Sequence, residues 1–246
     1  MARVRPRRFG WWLIGGLAAL AIVVIGGTWL YIHVIEGPAP APLSLKPRAS
    51  SGPGTSSTGT SSTGSSSTGS SSTVAGTWRV ATGSVVGYRV NEVLAGQNNV
   101  AVGRTSAISG TMTISGTTVT AASFTVQMAT IKSDQSERDT QFNGRIMDTA
   151  TYPTGTLTLT SPIALGSLPG DDVVRTLHAT GNLTLHGHTR SVTFTLQAER
   201  TAAGIEVSGS IPVLFADWGI ANPSFGSFVT TQDHGLLEFL IRFGRS

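Results

Sequence analysis

Five histidines, a group of acids around one arginine, and many serines are the side chains here whose types could do chemistry. His186 and His188 stand two apart, a spacing that on a continuous strand puts both imidazoles on one face, where a third ligand would complete a metal site. Gly187 between them reads instead as a turn, and the nearest rich source of carboxylates, Asp134, Glu137 and Asp139, lies far upstream. His178 and His186 share a parity, yet eight residues at roughly 3.3 Å each separate them by about 26 Å, too far to hold one ion. No metal is therefore expected. Acids spaced like those around Arg138 are usually solvated or capping; Asp139 could cap a short helix, and Arg138 could pair with a carboxylate at the mouth of a barrel. The sequence has no Gly-x-Ser-x-Gly nucleophile elbow and no Gly-rich phosphate loop opening a helix. With no cysteine there is no disulfide framework and no lipoprotein-type lipidation. No catalytic residue, and no enzyme, is expected.

The elements that carry these residues follow from alternation. Two runs of alternating polar and apolar residues meet at His186-Gly187-His188, with Leu183 and Leu185 on the apolar face of the first and Val192, Phe194 and Leu196 on that of the second. This period of two is the signature of half-buried antiparallel strands joined by a tight turn. The same pattern recurs along the chain. Trp78, then Val86 and Tyr88, then Phe124, Val126 and Met128 mark earlier apolar faces, and Leu157 and Leu159 precede a long strand over 172–187 that starts its apolar face at Val173. Val207, Phe215, Phe239 and Ile241 continue it to the end. About eight such strands, with no helical crossover long enough for a parallel sheet, predict an all-β fold: an antiparallel barrel or a sandwich. A barrel is favoured, because closure removes exposed edges and there is no cysteine or central-tryptophan signature of an immunoglobulin-like sandwich. Phe142 and Ile146, four apart, suggest a short helix over 137–147 capping one end, with an irregular loop around Gly144 as the alternative.

An inward apolar face does not by itself decide what fills the lumen. A barrel of about eight strands encloses one small apolar ligand or is packed by its own side chains. The inward set mixes large groups with small ones such as Ala179 and Gly209, which suits either outcome.

The first 75 residues are of another kind. They carry six basic residues and one acidic, so the sequence pI of about 10.1 belongs to this leader. From residue 76 onward eleven basic residues face twelve acidic ones, a net charge of −1 that offers nucleic acid no electrostatic footprint. Residues 1–9 form a basic tail and residues 10–32 an uncharged apolar run, long enough at about 1.5 Å per residue to cross a hydrocarbon layer of roughly 30 Å. Trp11 and Trp12 at one end and Trp29 and Tyr31 at the other suit the interfaces. The arginines precede the run, which predicts a single-pass anchor in the cell membrane with a cytoplasmic N-terminus and the remainder outside. A cleaved signal peptide is the competing reading, with Ala39-Pro-Ala41 as its cleavage site. Residues 33–75, first Pro-rich and then a Ser/Thr/Gly tract repeating every five residues, read as a disordered linker.

Five motifs in order carry a resemblance: Val102-Gly-Arg-Thr-Ser-Ala-Ile-Ser-Gly110, Ser133-Asp-Gln-Ser-Glu-Arg-Asp139, Thr151-Tyr-Pro153, Gly181-Asn-Leu-Thr-Leu-His-Gly-His-Thr-Arg190 and Phe215-Ala-Asp-Trp-Gly219. Over residues 76–246 the chain resembles the YceI-like polyisoprenoid-binding family. The resemblance implies an extended lipocalin-like barrel whose lumen holds an isoprenoid or similar long-chain lipid, with no catalytic residues and no other cofactor. The chain departs from many members by carrying Gly83-Ser84 where they have His-Ser, and by its tether. A structural or interaction module of the cell envelope, with a self-packed barrel and no ligand, is the alternative function.

Overall fold

The computed structural model describes residues 39–45, 74–94, 96–166, 173–226 and 229–246. The predicted membrane span at 10–32 and most of the predicted linker lie outside these residues, and among those described no helix is long and apolar enough to cross a membrane. Twelve strands are described: β1 (Gly76–Val80), β2 (Val85–Leu94), β3 (Gln97–Thr105), β4 (Ile108–Ser115), β5 (Thr118–Gln127), β6 (Thr154–Leu159), β7 (Ile163–Ala164), β8 (Arg175–Leu185), β9 (His188–Thr201), β10 (Gly204–Leu214), β11 (Val229–Thr231) and β12 (His234–Arg245). Between β5 and β6 lies one short α-helix, α1 (Ser136–Gln141), which runs directly into a π-turn segment (Phe142–Ile146). The predicted helix therefore exists but is shorter than expected, because Gly144 falls where regular winding gives way.

Eight strands close into a barrel in the order β1-β4-β5-β6-β8-β9-β10-β12, with β12 bonding back to β1 and every pair antiparallel. One edge of β12 is shared. Phe243 and Arg245 pair with β1, whereas Leu237 faces Tyr88 and Leu240 faces Val85 on β2. Ser84 fixes the corner between β1 and β2. Its buried hydroxyl donates to the Ala81 carbonyl at 2.8 Å and accepts from the Arg242 amide at 3.0 Å, so the chain leaves β12 at Arg242 and rejoins the same edge at Leu240.

The predicted turn at the histidines is a two-residue hairpin: Leu185 pairs with His188, and His186 (φ 48°) and Gly187 (φ 76°) both take positive φ. Two-residue loops of this kind match the right-handed twist of the flanking strands, and glycine takes the second position without steric cost. A Cβ at 187 would also lie 2.6 Å from the Tyr152 ring. The predicted long strand is shorter at its start: β8 begins at Arg175, and Val173 and Val174 are about half exposed, so Val173 is not on the inward face. Alternation continued one pair of residues past the last rung that β9 supplies, since Arg175 is already opposite Ala198.

One core lines the barrel, from Trp78, Ile114 and Phe243 at one end to Leu185, Phe215 and Trp218 at the other. Of the predicted linker, residues 39–45 and 74–75 are described. Residues 39–45 lie against the outer wall, where Arg89 and Arg104 donate to the Pro40 and Ala41 carbonyls and Leu45 is buried.

Candidate functional site

Alternation on a closed barrel sends every second side chain inward, and apolar residues at those positions make a lumen that water leaves. Here the lumen holds a cavity of about 710 Å³, inside the range of roughly 300–1,000 Å³ typical of small-molecule sites. Along β8 the inward residues from Leu177 to Leu185 extend over about 26 Å at roughly 3.3 Å per residue. With barrel strands tilted by about 35–45°, the lumen is about 20 Å long along its axis. A lumen of that length is a tunnel elongated along the barrel axis.

Most of the residues expected to face inward line this cavity: Val86 and Tyr88 from β2, Phe124 and Val126 from β5, Leu157 and Leu159 from β6, and Leu183 and Leu185 from β8. Phe194 and Leu196 from β9, Val207 from β10, Phe239 and Ile241 from β12, and Met128 and Phe215 beside their strands complete the set. Trp78 and Val192 do not line it. Trp78 is buried in the core, where its indole N–H donates to the Val74 carbonyl at 2.8 Å and the Arg245 guanidinium lies 5.7 Å from its ring centre. Val192 packs against the core from a half-buried position. Phe194 and Phe239 meet edge to face at 6.0 Å, and Phe124 reaches Phe243 at 5.9 Å. Between the first pair runs β10, where Gly209 makes the room: a Cβ there would lie 2.7 Å from Phe239.

Charge is confined to the two ends of the tunnel. The histidine hairpin, the end of β2 and the start of β12 share one end; the starts of β8 and β10 share the other. At the first end Glu92, Glu137, Arg138 and Arg145 line the cavity, and at the second Arg175, Glu199 and Arg200 do. Glu92 is buried on the inward face of β2, with its Oε1 accepting from Arg138 Nη2 at 3.1 Å and from Asn99 at 2.9 Å. Arg138 also bonds Asp134. The arginine thus pairs with a carboxylate at the barrel mouth. Asp139 does not cap α1: it lies inside the helix and accepts from the Ser133 amide at 2.8 Å and hydroxyl at 2.9 Å, and the N-cap, Gln135, has no side-chain cap.

The helical segment covers this end. Phe142 stacks on Tyr88 with ring centres 5.1 Å apart. Burial is the main reason that the Tyr88 phenol is raised to about 12, Arg138 lowering it and Asp139, Glu92 and Asp134 raising it further. Arg145 donates to the Asn222 and Pro223 carbonyls at 3.3 and 3.0 Å, tying the π-turn to the loop that carries Phe225. Phe225 is 70% exposed and lines the mouth with Pro223, Leu94 and Val229. An exposed aromatic ring thus sits at the rim of the apolar cavity, at the end that carries Glu92 and Arg138.

The sequence reading missed Glu92 and Phe225. The signal for Glu92 was available, since it continues the parity of Val86, Tyr88 and Val90, and an acid on an apolar face needs a partner. Phe225 sits in a loop, where parity says nothing.

The histidines are not brought together. His186 Nδ1 lies 3.2 Å from the Trp218 carbonyl and its ring 4.5 Å from that of Tyr152, while His178 Nδ1 contacts the Thr195 hydroxyl at 3.2 Å on the outer face. Among the described residues no three His, Asp or Glu are placed to hold a metal ion.

A closed antiparallel barrel of eight strands around an apolar tunnel defines the class of protein, and the comparisons with known proteins narrow it. Residues 65–243 match the YceI-like domain, and the chain belongs to that family. The match begins inside the Ser/Thr/Gly tract, ahead of β1. A polyisoprenoid-binding domain from Saccharophagus degradans implicated in plant cell wall breakdown is similar in structure, with a TM-score of 0.56 and 16% identity over 69% of this chain and 98% of that one. BcnA of Burkholderia cenocepacia gives a TM-score of 0.48 and 20% identity over 63% of this chain and 94% of that one. The YceI protein of Campylobacter jejuni gives 0.39 and 15%, over 54% and 80%. A comparison with proteins of curated function finds no match.

Proposed function

We propose that this barrel binds a polyisoprenoid or comparable long-chain lipid in its lumen, and does so outside the cytoplasmic membrane, to which residues 10–32 tether it. The tunnel carries the first part of this reading: it is apolar along its length and charged at its ends, which fits a molecule with a long hydrocarbon body and a polar head. Apolar burial of about 25 cal/mol per Å² would drive the body in, while a charged headgroup left in the apolar section would be penalised. The head therefore lies at a mouth. Membership of the YceI-like family and the likeness to a polyisoprenoid-binding domain support the same reading. No step of bond making is needed.

Mass spectrometry of an organic extract from gently purified protein tests the binding. A stoichiometric long-chain lipid is the expected result, and a clean extract that stays clean after incubation with prenyl lipids would favour a self-packed envelope module. For the tether, the full chain should pellet with membranes and resist high salt. Release by salt would remove the anchor.

A further inference from the structure

The outer wall of the barrel carries a second built site. In the register of β12, β2 and β3, Glu238 faces Gly87 and Gly87 faces Arg104, so all three share the outer face, with Arg89 two residues along β2. Because residue 87 has no side chain, Glu238 and Arg104 meet over it from two strands apart. Glu238 is buried, with Arg89 Nε at 2.7 Å from one oxygen and Arg104 Nη2 at 3.7 Å from the other. Each arginine has donors left over. Arg89 Nη2 donates to the Pro40 carbonyl at 2.6 Å and Arg104 Nη2 to the Ala41 carbonyl, and a few residues on Leu45 is buried.

The chemistry of site and segment is complementary. Guanidinium groups donate and never accept. A strand interrupted by Pro40 and Pro42 has carbonyls at every residue but lacks two of its seven amides, and proline pre-sets an extended conformation that loses little entropy on docking. We propose that this wall is a receptor site for an extended, acceptor-rich proline strand, and that residues 39–45 occupy it in cis as a releasable clamp on the tether. Seated, the clamp fixes the chain at residue 45 to the same body as residue 74, so the 28 residues between them add nothing to the distance between the barrel and whatever precedes residue 39. Released, they add up to about 95 Å at roughly 3.4 Å per residue. Arg104 Nε and Glu238 Oε2 are buried without a hydrogen-bond partner beneath the strand. Uncovering them returns them to water, which opposes docking and keeps the clamp releasable. The clamp stands whether or not the lumen binds lipid.

The chain lacks cysteine, so two introduced cysteines take spin labels cleanly. With labels at Ser44→Cys and Asn91→Cys in the full chain, pulsed dipolar spectroscopy should give one short, narrow distance distribution. Leu45→Asp, which alters the clamp and no barrel strand, should broaden and lengthen it while the thermal melt of the barrel is unchanged. Should that variant melt early, Pro40→Gly with Pro42→Gly keeps both accepting carbonyls and should broaden the distribution through lost preorganisation. A broad distribution in the parent labelled pair, or a narrow one surviving both variants, would overturn the proposal. So would a sharp distance in a mixture of singly labelled chains, which would place the strand on a second copy.

Discussion

Arg138 Nη2 lies 3.1 Å from Glu92 Oε1, joining α1 to the inward face of β2 at the mouth of the tunnel. Both side chains are largely withdrawn from water, at 17% and 8% exposure, so removing one partner strands the other. Arg138→Met should lower stability by about 3 kcal/mol in urea titration, in line with the cost of breaking a buried pair. Combining Arg138→Met with Glu92→Leu should recover most of that loss. If the double variant is as unstable as the two losses added together, the pair is not coupled.

Tyr88 offers a second handle on the same end. Its phenol titrates at about 12, raised chiefly by burial, against an unfolded value of about 10. The folded state therefore holds its proton more tightly than the unfolded state. The associated stability is fully present below about pH 10 and is lost as pH rises towards 12. Ultraviolet titration should show a late phenolate that moves to earlier pH on unfolding, and Tyr88→Phe should remove that phase. A single early transition for every tyrosine would show that Tyr88 is wet.

Facing can be tested with one charge. Val126 lines the cavity and Thr195 is exposed on the outer face. Val126→Asp should unfold the barrel or abolish the proposed lipid binding, because an unpaired buried carboxylate costs far more than the contacts of one methylene, about 0.8 kcal/mol. Thr195→Asp should change the melting temperature little. Phe194→Ala should cost about 3 kcal/mol in lipid-free protein and less with a flexible chain in place to fill the space.

The alternation of β2, β5, β6, β8, β9 and β12 was legible because each strand has one wet and one dry face, and the hairpin at His186-Gly187 because a two-residue loop needs residues that accept positive φ. What stayed hidden is what parity does not encode. Trp78 has the right parity, yet its place is set by Val74 and Arg245, which come from outside its strand. The start of β8 was misplaced because valines at 173 and 174 look like strand residues wherever they lie. Residues 39–45 read as spacer because the two guanidiniums that hold them are some fifty to sixty residues further on.

Ser84 is a case of the same kind, a small polar residue beside Gly83 whose strand parity does not mark its partners. Its hydroxyl joins Ala81 to Arg242 inside the wall. Ser84→Ala should cost about 1–3 kcal/mol by leaving the Arg242 amide unsatisfied, read as a lower denaturation midpoint with unchanged slope. Ser84→Gly should be worse than Ser84→Ala, since it adds backbone freedom to the same loss.

The seam between β1 and β12 has a kinetic consequence. It joins the two most distant strands of the barrel, and Arg79 bonds Ser246 at 2.7 Å across a sequence separation of 167 residues. Contacts of such separation slow folding, since the chain must give up loop entropy before they reward it. Until this seam forms the wall is an open, curved sheet, and the surface destined to become the lumen can be reached from the side. Under the proposed function, a lipid encountered at that stage would be wrapped, whereas one met after closure would have to enter through a mouth, so the order of folding and loading would set how readily it leaves.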